Sequence, residues 1–139
     1  MSPHDWCEQV GVGEFDNDAY YRVIEKKIIG QRNQFTLAAV EKGTGNLAGY
    51  VHCVREEESP TLLTIGCVKV DWEHQGRGLG KLLIAAGEAS AAERGWTFAD
   101  TSLTVLKRNC RARRCYCSRG FEEVPSHGAW PNMQSRRLQ

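Results

Sequence analysis

The chain has 139 residues and a mass of 15.6 kDa, which leaves room for one hydrophobic core and not for two. Hydrophobic residues make up 41% and charged residues 25%, a composition that excludes a disordered chain, a collagen and a highly charged tail. The net charge of +1 is unevenly divided: residues 1–60 are net acidic, and residues 61–139 are net basic. We therefore expect an anionic ligand to bind the second part of the chain.

The first predicted elements are a helix and a hairpin. Asp16 or Asn17 can cap a helix that runs to about Ile29, because apolar residues recur there at helical spacing. Two strands follow, Gln34–Glu41 and Leu47–Arg55, joined by a turn at residues 43–46.

The middle of the chain alternates strand and helix. Residues 61–70 predict a buried strand because the segment is mostly apolar, and a glycine-rich loop follows it. A long helix from about Gly78 to Arg94 has apolar residues at i, i+3, i+4 and i+7 spacing and ends at Gly95. A strand at residues 98–106 comes next.

The last predicted elements are short. Asn109 can cap a helix through about Ser118, and a strand runs from Gly120 to Val124. Residues 129–138 predict a final edge strand, which Pro131 disfavours. We therefore predict that residues 1–139 form a single α/β (α+β) domain, with one mostly antiparallel sheet flanked by helices.

Six cysteines are present, and no two of them have C-x-x-C spacing. Residues 110–117 contain one group of closely spaced cysteines, C-x4-C-x-C, whereas a zinc site needs two pairs of Cys or His ligands. We therefore expect no metal. The first ten residues contain two acidic groups and no apolar segment, so we expect no signal peptide. No apolar run is long enough for a transmembrane helix, and we expect free thiols in a reducing cytoplasm.

The segment with the clearest chemistry runs from Val68 to Lys81, with the sequence VKVDWEHQGRGLGK. It leads from a strand through glycines to a helix N-terminus, where unpaired N–H groups and the helix dipole attract anions. Such a loop can cradle a phosphate or pyrophosphate. Neither the dinucleotide fingerprint G-x-G-x-x-G nor the P-loop fits, which leaves Gln75-x-x-Gly78-x-Gly80 or a glycine turn without a ligand.

This segment resembles the acetyl-CoA-binding signature of the GNAT superfamily of N-acetyltransferases, [Gln/Arg]-x-x-Gly-x-[Gly/Ala]. A second block, Asn109-x-x-Ala112-x-x-x-Tyr116-x-x-x-Gly120-Phe121, resembles the family's later helix and strand. The resemblance covers about residues 34–124 and implies the GNAT fold. It also implies an abbreviated N-terminal region, because only 33 residues precede Gln34 where the family has a strand and two helices. Residues 6–12 are the candidate for that first strand.

The resemblance implies acetyl-CoA as cosubstrate and suggests where it binds. The pyrophosphate would lie on the loop amides, and Asn109 would bond to the pantetheine arm. That arm would pair like an extra strand with the splayed end of the preceding strand, at residues 67–70. Arg113 or Arg114 would bind the ribose phosphate. The implied cofactor-binding residues are Val68, Lys69, Val70, Gln75, Gly76, Arg77, Gly78, Leu79, Gly80, Lys81, Asn109, Ala112, Arg113 and Arg114.

Two catalytic roles follow from the resemblance. The amide near Val68 would polarise the thioester carbonyl, and Tyr116 would protonate the departing thiolate. Core packing is the structural alternative for both side chains. The basic run at residues 107–114 could instead form a solvated helix face. We do not expect it to bind nucleic acid, because interleaved aromatic residues are few and the pI is about 7.6.

The general base is left open by the sequence. The strand at residues 61–70 carries no carboxylate, although some members of the family have a glutamate there. The candidates are His52, the acidic residues at 56–58, and His74, with a chain of water molecules as the alternative.

The sequence is compatible with two functions of different classes. One is direct acetyl transfer from acetyl-CoA to a primary amine of a small molecule or peptide, which Tyr116 favours. The other is a non-catalytic coenzyme A-binding or protein-interaction module on a degenerate acetyltransferase fold. The absent strand carboxylate and the short N-terminal region favour this second function. We expect no membrane partner, and a homodimer is compatible with either function.

Overall fold

The computed structural model describes residues 20–26, 32–58, 60–105, 108–124 and 132–136. Its strands are β1 (Tyr21–Lys26), β2 (Gln34–Glu41), β3 (Leu47–Arg55), β4 (Leu62–Val70), β5 (Asp100–Thr104), β6 (Glu122–Val124) and β7 (Asn132–Arg136). Its helices are α1 (Leu79–Glu93) and α2 (Cys110–Ser118), and a 3-10 turn at Trp72–His74 leads towards α1.

The strands form one sheet in the order β1-β2-β3-β4-β5-β7-β6. Strands β4 and β5 are parallel, and the other neighbouring pairs are antiparallel. A parallel pair needs a long crossover, which α1 supplies. The structure thus confirms the predicted mixed, mostly antiparallel sheet.

The core lies between α1 and one face of the sheet. Apolar residues of α1 and of the central strands join in one buried cluster, and Leu37, Val51, Leu83 and Ile84 have no exposed surface within it. A smaller cluster around Ala38 lies on the opposite face, because Ala38 alternates with two strand neighbours that belong to the main cluster. Both faces of β2 are therefore covered.

The helix predicted to end near Ile29 is wrong for residues 21–26, which form strand β1. Tyr21 and Val23 join the main cluster, whereas Ile24 joins the smaller cluster on the other face. Val23 and Ile24 are adjacent but buried on opposite faces, so the strand lacks a simple alternation of apolar and polar residues, and its apolar residues also match helical spacing. Tyr20, which the prediction also placed in the helix, forms a bend before β1. The remaining residues of the predicted helix, and the candidate first strand at 6–12, lie outside the described residues.

The remaining elements follow the sequence closely, with two corrections. The hairpin strands β2 and β3 have the predicted bounds, and the helices differ by at most one residue at each end. The strand predicted at 98–106 is shorter, at Asp100–Thr104. The final strand is not at the sheet edge, because β7 lies between β5 and β6 and the three-residue β6 pairs with it. None of the described helices is long and apolar enough to cross a bilayer.

Candidate active site

Among the described residues, strand β4 has no partner strand along one edge of its second half, and we call this edge open. Its pairing with β5 runs from Leu62 to Ile65 and stops there, whereas its pairing with β3 continues to Val70. The apolar pattern predicted a buried strand throughout, whereas the family resemblance implied a splayed end at residues 67–70. Gly66, Cys67 and Lys69 are exposed, because β5 does not follow β4 to its end. The backbone of residues 66–70 can therefore accept an extended ligand arm as an added strand.

The glycine-rich loop lies at the end of this open edge. Gly76 and Gly78 have φ angles of 81° and 79°, in the left-handed region that favours glycine. Gly78 is the N-cap of α1, and Leu82 makes the first bond of the helix by donating to the Gly78 carbonyl at 3.1 Å. In the part of the chain that the structure describes, no carbonyl accepts a bond from the amides of residues 76–81. These amides and the helix dipole fit a pyrophosphate.

Gln75 and Arg111 tie this loop to its neighbours. The Gln75 side chain donates to the carbonyl of Val70 at 3.2 Å and accepts a bond from Arg111 at 3.3 Å. Arg111 also lies 3.5 Å from the position of a Cβ added at Gly76. Gln75 thus links the end of β4 to α2, which fixes the loop between them.

Helix α2 begins at the predicted cap and carries Tyr116 into the core. Asn109 accepts a bond from the amide of Ala112 at 3.2 Å, which confirms its role as N-cap. Tyr116 is 9% exposed, and its ring centroid is 6.1 Å from that of Phe121. The hydroxyl of Tyr116 makes no hydrogen bond with any described residue. It is a buried donor that remains available to a ligand.

The hydroxyl of Tyr116 has a higher pKa than an ordinary phenol. Burial raises its pKa to about 12, and the nearby thiols of Cys115 and Cys67 act in the same direction. The adjacent Cys115 thiol and the Val70 side chain both lie 3.9 Å from a Cβ added at Gly80, which places this part of α2 beside the end of β4. At pH 7 the Tyr116 hydroxyl is protonated and can act only as an acid.

The arginines of α2 occupy three different positions. Arg111 contacts the loop, although the sequence reading did not select it, and Arg113 donates to Glu123 of β6 at 2.6 Å. Arg114 is exposed and forms no ion pair within the described ranges. The contact of Arg111 with the loop could have been predicted from helical spacing. Arg111 lies one turn before Cys115, and Cys115 faces Gly80 of the loop.

The sequence model of the acetyltransferase (GNAT) family matches residues 3–121. The chain belongs to this family. Membership supports acetyl transfer from acetyl-CoA as its class of reaction, and it confirms the resemblance carried by the loop and by the Asn109–Phe121 block. A search of curated proteins finds no match.

Solved structures of other GNAT proteins share the fold. A Klebsiella pneumoniae protein assigned to the acyl-CoA N-acyltransferases has a TM-score of 0.69 at 19% identity, covering 86% of this chain and 99% of that one. Nourseothricin acetyltransferase has a TM-score of 0.67 at 21% identity, covering 84% and 83%. The Thermoplasma acidophilum PaiA N-acetyltransferase, solved with coenzyme A, has a TM-score of 0.66 at 17% identity, covering 76% and 62%. The present chain thus spans less than two thirds of the Thermoplasma protein.

The candidate bases of this GNAT protein have different surroundings. His74 is 6% exposed, its Nδ1 lies 2.8 Å from the Tyr21 hydroxyl, and its Nε2 lies 3.6 Å from Glu41. It therefore joins the 3-10 turn to β1 and β2 in a structural contact. The acidic residues at 56–58 are exposed in the loop after β3. His52 lies within β3 and contacts Thr36 of β2.

Sequence reasoning also missed a cavity beside the loop. It has a volume of about 410 Å³ and is lined by Tyr20, Tyr21, Arg77, Gly78, Leu79 and Leu82. Both tyrosines fall within the segment that the sequence predicted to be a helix, so no signal pointed to this neighbourhood. Cys53, Cys67, Cys110, Cys115 and Cys117 are free, and no group of three metal-ligating side chains occurs among the residues that the structure describes.

Proposed function

We propose that the protein is an N-acetyltransferase that moves the acetyl group of acetyl-CoA directly to a primary amine of a small molecule or peptide. The observation that carries the proposal is the open edge of β4, which ends in a loop whose amides donate to no carbonyl of the described residues. An extended pantetheine arm can pair with the edge while the pyrophosphate lies on the amides of residues 76–81. The related Thermoplasma and Bacillus anthracis structures hold coenzyme A and acetyl-CoA, respectively, which supports this choice of cosubstrate.

The proposed roles of the backbone and of Tyr116 follow from this placement. The amine nitrogen attacks the thioester carbonyl carbon, the C–N bond forms and the C–S bond breaks. The backbone amide near Val68 would bind the carbonyl oxygen as negative charge develops on it, while the half-buried Val68 side chain packs against the core. The buried hydroxyl of Tyr116 would give its proton to the coenzyme A thiolate.

The proposal treats residues 1–139 as one acetyl-CoA-binding domain that works in the cytoplasm. The single sheet, which takes in strands from β1 to β7, supports one domain. The five free thiols among the described residues support a reducing compartment. The acceptor would be the free amine form, because an ammonium group has no lone pair for the attack.

An amine panel tests the proposal directly. The chain is incubated with acetyl-CoA and separate sets of diamines, aminoglycosides and peptides with a free N-terminus or lysine, and the products are analysed by mass spectrometry. We expect a gain of one acetyl group on an amine and a matching release of free coenzyme A. Coenzyme A binding without transfer to any amine would favour the non-catalytic module instead.

A pair of arginine variants separates two parts of the coenzyme A site. We expect Arg114→Ala to weaken the binding of coenzyme A more than that of dephospho-coenzyme A, because an exposed guanidinium can bind the ribose phosphate. Arg111→Ala serves as the matched variant, since it removes a contact to the loop and should weaken both ligands alike. Calorimetric Kd values for the two ligands provide the measurement. An equal loss for both ligands in Arg114→Ala would remove Arg114 from the phosphate site, and Arg113→Ala is then the variant to test.

A further inference from the structure

His52 lies on the sheet face opposite α1, beside the open half of β4. Its strand neighbours Val51 and Cys53 belong to the main core cluster, so alternation places the His52 side chain on the other face. The register of β3 and β4 sets His52 directly opposite Cys67, the residue before Val68. The imidazole thus lies on the strand next to β4, whose open edge is where we place the thioester.

A bulge in β4 leaves space for the His52 ring. The register shifts between His52 and Cys53, whose partners are Cys67 and Ile65, so Gly66 has no residue opposite it. A Cβ added at Gly66 would lie 3.1 Å from Cδ2 of His52, which is closer than ordinary contact. The ring therefore lies over the glycine, and its Cδ2 edge, which is bonded to Nε2, extends across β4.

The other ring nitrogen of His52 is held by Thr36. The Thr36 hydroxyl oxygen lies 2.7 Å from Nδ1, and both side chains are partly buried. Across the described ranges this is the one hydrogen bond of the His52 side chain. With a proton on Nδ1 that donates to Thr36, Nε2 carries the lone pair of the ring and bonds to no described residue.

Burial favours a neutral imidazole at His52, which shares its face of the sheet with several titratable groups. Tyr50, Cys67 and Lys69 share the face on β3 and β4, and the β2 neighbour Thr36 carries no charge. The Cys67 thiol lies 3.8 Å from the Tyr50 hydroxyl, and this contact raises the pKa of Tyr50. Burial lowers the pKa of His52 below 6.5, so the ring is neutral and able to accept a proton at pH 7.

We propose that His52 is the general base of the acetyl transfer and that Thr36 is its positioning residue. The inference rests on the proposed function. An acceptor that arrives as an ammonium ion gives one proton to Nε2 of His52, and the freed lone pair forms the C–N bond as the C–S bond breaks. Tyr116 protonates the thiolate and regains a proton from the nitrogen as the amide forms, and His52 releases its proton to water. The net products are the amide, free coenzyme A and one proton.

The first test is the pH dependence of kcat/KM, measured with the panel amine that the parent protein acetylates fastest. In the parent, kcat/KM should fall as the pH drops through a value below 6.5, because His52 becomes protonated. His52→Asn keeps a group at the position of Nδ1 and removes Nε2. We expect it to lower kcat/KM on the order of 10²–10⁴-fold and to abolish that acidic limb. Equal coenzyme A affinity in both proteins would show that the fold is intact, and His52→Gln is the substitute if the asparagine variant is unstable.

Two further variants separate position from chemistry. Thr36→Val should lower kcat/KM on the order of tenfold and shift the acidic limb, whereas Thr36→Ser should restore both. Tyr50→Phe is the control on the same face, and it should keep the limb. Heteronuclear NMR of the His52 ring should show the proton on Nδ1 at pH 7 in the parent.

The outcomes distinguish the base from the overall function. Three results would overturn the role of His52 and leave acetyl transfer in place. They are a parent-like rate and acidic limb in His52→Asn, the loss of the limb in Tyr50→Phe, and a proton on Nε2 in the NMR spectrum. A parent-like Thr36→Val would overturn the positioning role. A parent protein that binds coenzyme A and acetylates no amine would overturn the proposed function and the base together.

Discussion

Tyr116→Phe is expected to lower kcat on the order of 10²–10⁴-fold while leaving the Kd for coenzyme A nearly unchanged. The substitution deletes the hydroxyl and keeps the ring that packs near Phe121. Protonation of the thiolate occurs only in the transition state, so its loss should appear in kcat and not in ground-state binding. Steady-state rates and calorimetry on the same preparations measure both quantities.

The melting temperature distinguishes this role from a structural one. The Tyr116 hydroxyl bonds to no described residue, so its removal should leave the Tm unchanged. Tyr21→Phe is the matched control, because the Tyr21 hydroxyl lies 2.8 Å from Nδ1 of His74 and is buried. Its removal should cost about 0.5–1.5 kcal/mol of stability. Full activity in Tyr116→Phe would leave water, or unassisted departure of the thiolate, as the remaining mechanism.

The pKa of Tyr116 also predicts the alkaline side of the rate profile. An acid works in its protonated form, and burial raises this pKa to about 12. The rate should therefore show no loss from Tyr116 ionisation between pH 7 and 10. Stability responds differently: the unfolded tyrosine ionises near pH 10, so the contribution of Tyr116 falls as the pH rises from about 10 towards 12.

Local signals in the sequence were enough to predict the parts of the fold that are set locally. The turn at residues 43–46 and the alternation around it gave the hairpin, and the cap at Asn109 gave the start of α2. The two motifs that carry the family resemblance lie on the loop and on α2, where backbone conformation and helix capping constrain the residue types. The match of the family to residues 3–121 confirms that reading.

Features that depend on distant pairing could not be predicted in this way. The second half of β4 is open because β5 pairs with residues 62–65 alone. The sequence of β4 itself does not indicate where β5 ends. Strand β1 was read as a helix because burial on both faces removes the alternation that marks a strand. The insertion of β7 between β5 and β6 is likewise a matter of topology.

The charged residues of α2 illustrate a different limit. The sequence marks a basic run, but the partner of each arginine depends on helical phase and on the loop packed against the helix. Arg111 contacts Gln75, whereas Arg113 is paired with Glu123. The site for the ribose phosphate therefore stays a prediction that the paired ligands can test.

Gly78→Asp is expected to weaken coenzyme A binding on the order of 100-fold or more. The backbone amides of this loop bind the pyrophosphate in our proposal, and an aspartate at the N-cap of α1 would place a like charge against it. At about 4 Å and an effective dielectric constant of about 20, such repulsion is on the order of 4 kcal/mol. A tenfold change in Kd corresponds to about 1.4 kcal/mol, so two thirds of this repulsion already gives a loss on the order of 100-fold.

Gly45→Asp controls for the backbone cost of the substitution. Gly45 has a φ of 74° against 79° for Gly78, and an added Cβ meets no atom within 4 Å at either position. The two aspartates therefore carry similar conformational strain, roughly 1–2 kcal/mol, but Gly45 lies in the β2–β3 turn. Comparable losses of Tm with a selective loss of binding in Gly78→Asp would locate the effect at the loop. Calorimetry that finds the parent affinity in Gly78→Asp would mean that the pyrophosphate lies elsewhere, because no anion could share that helix terminus with the new carboxylate at no cost.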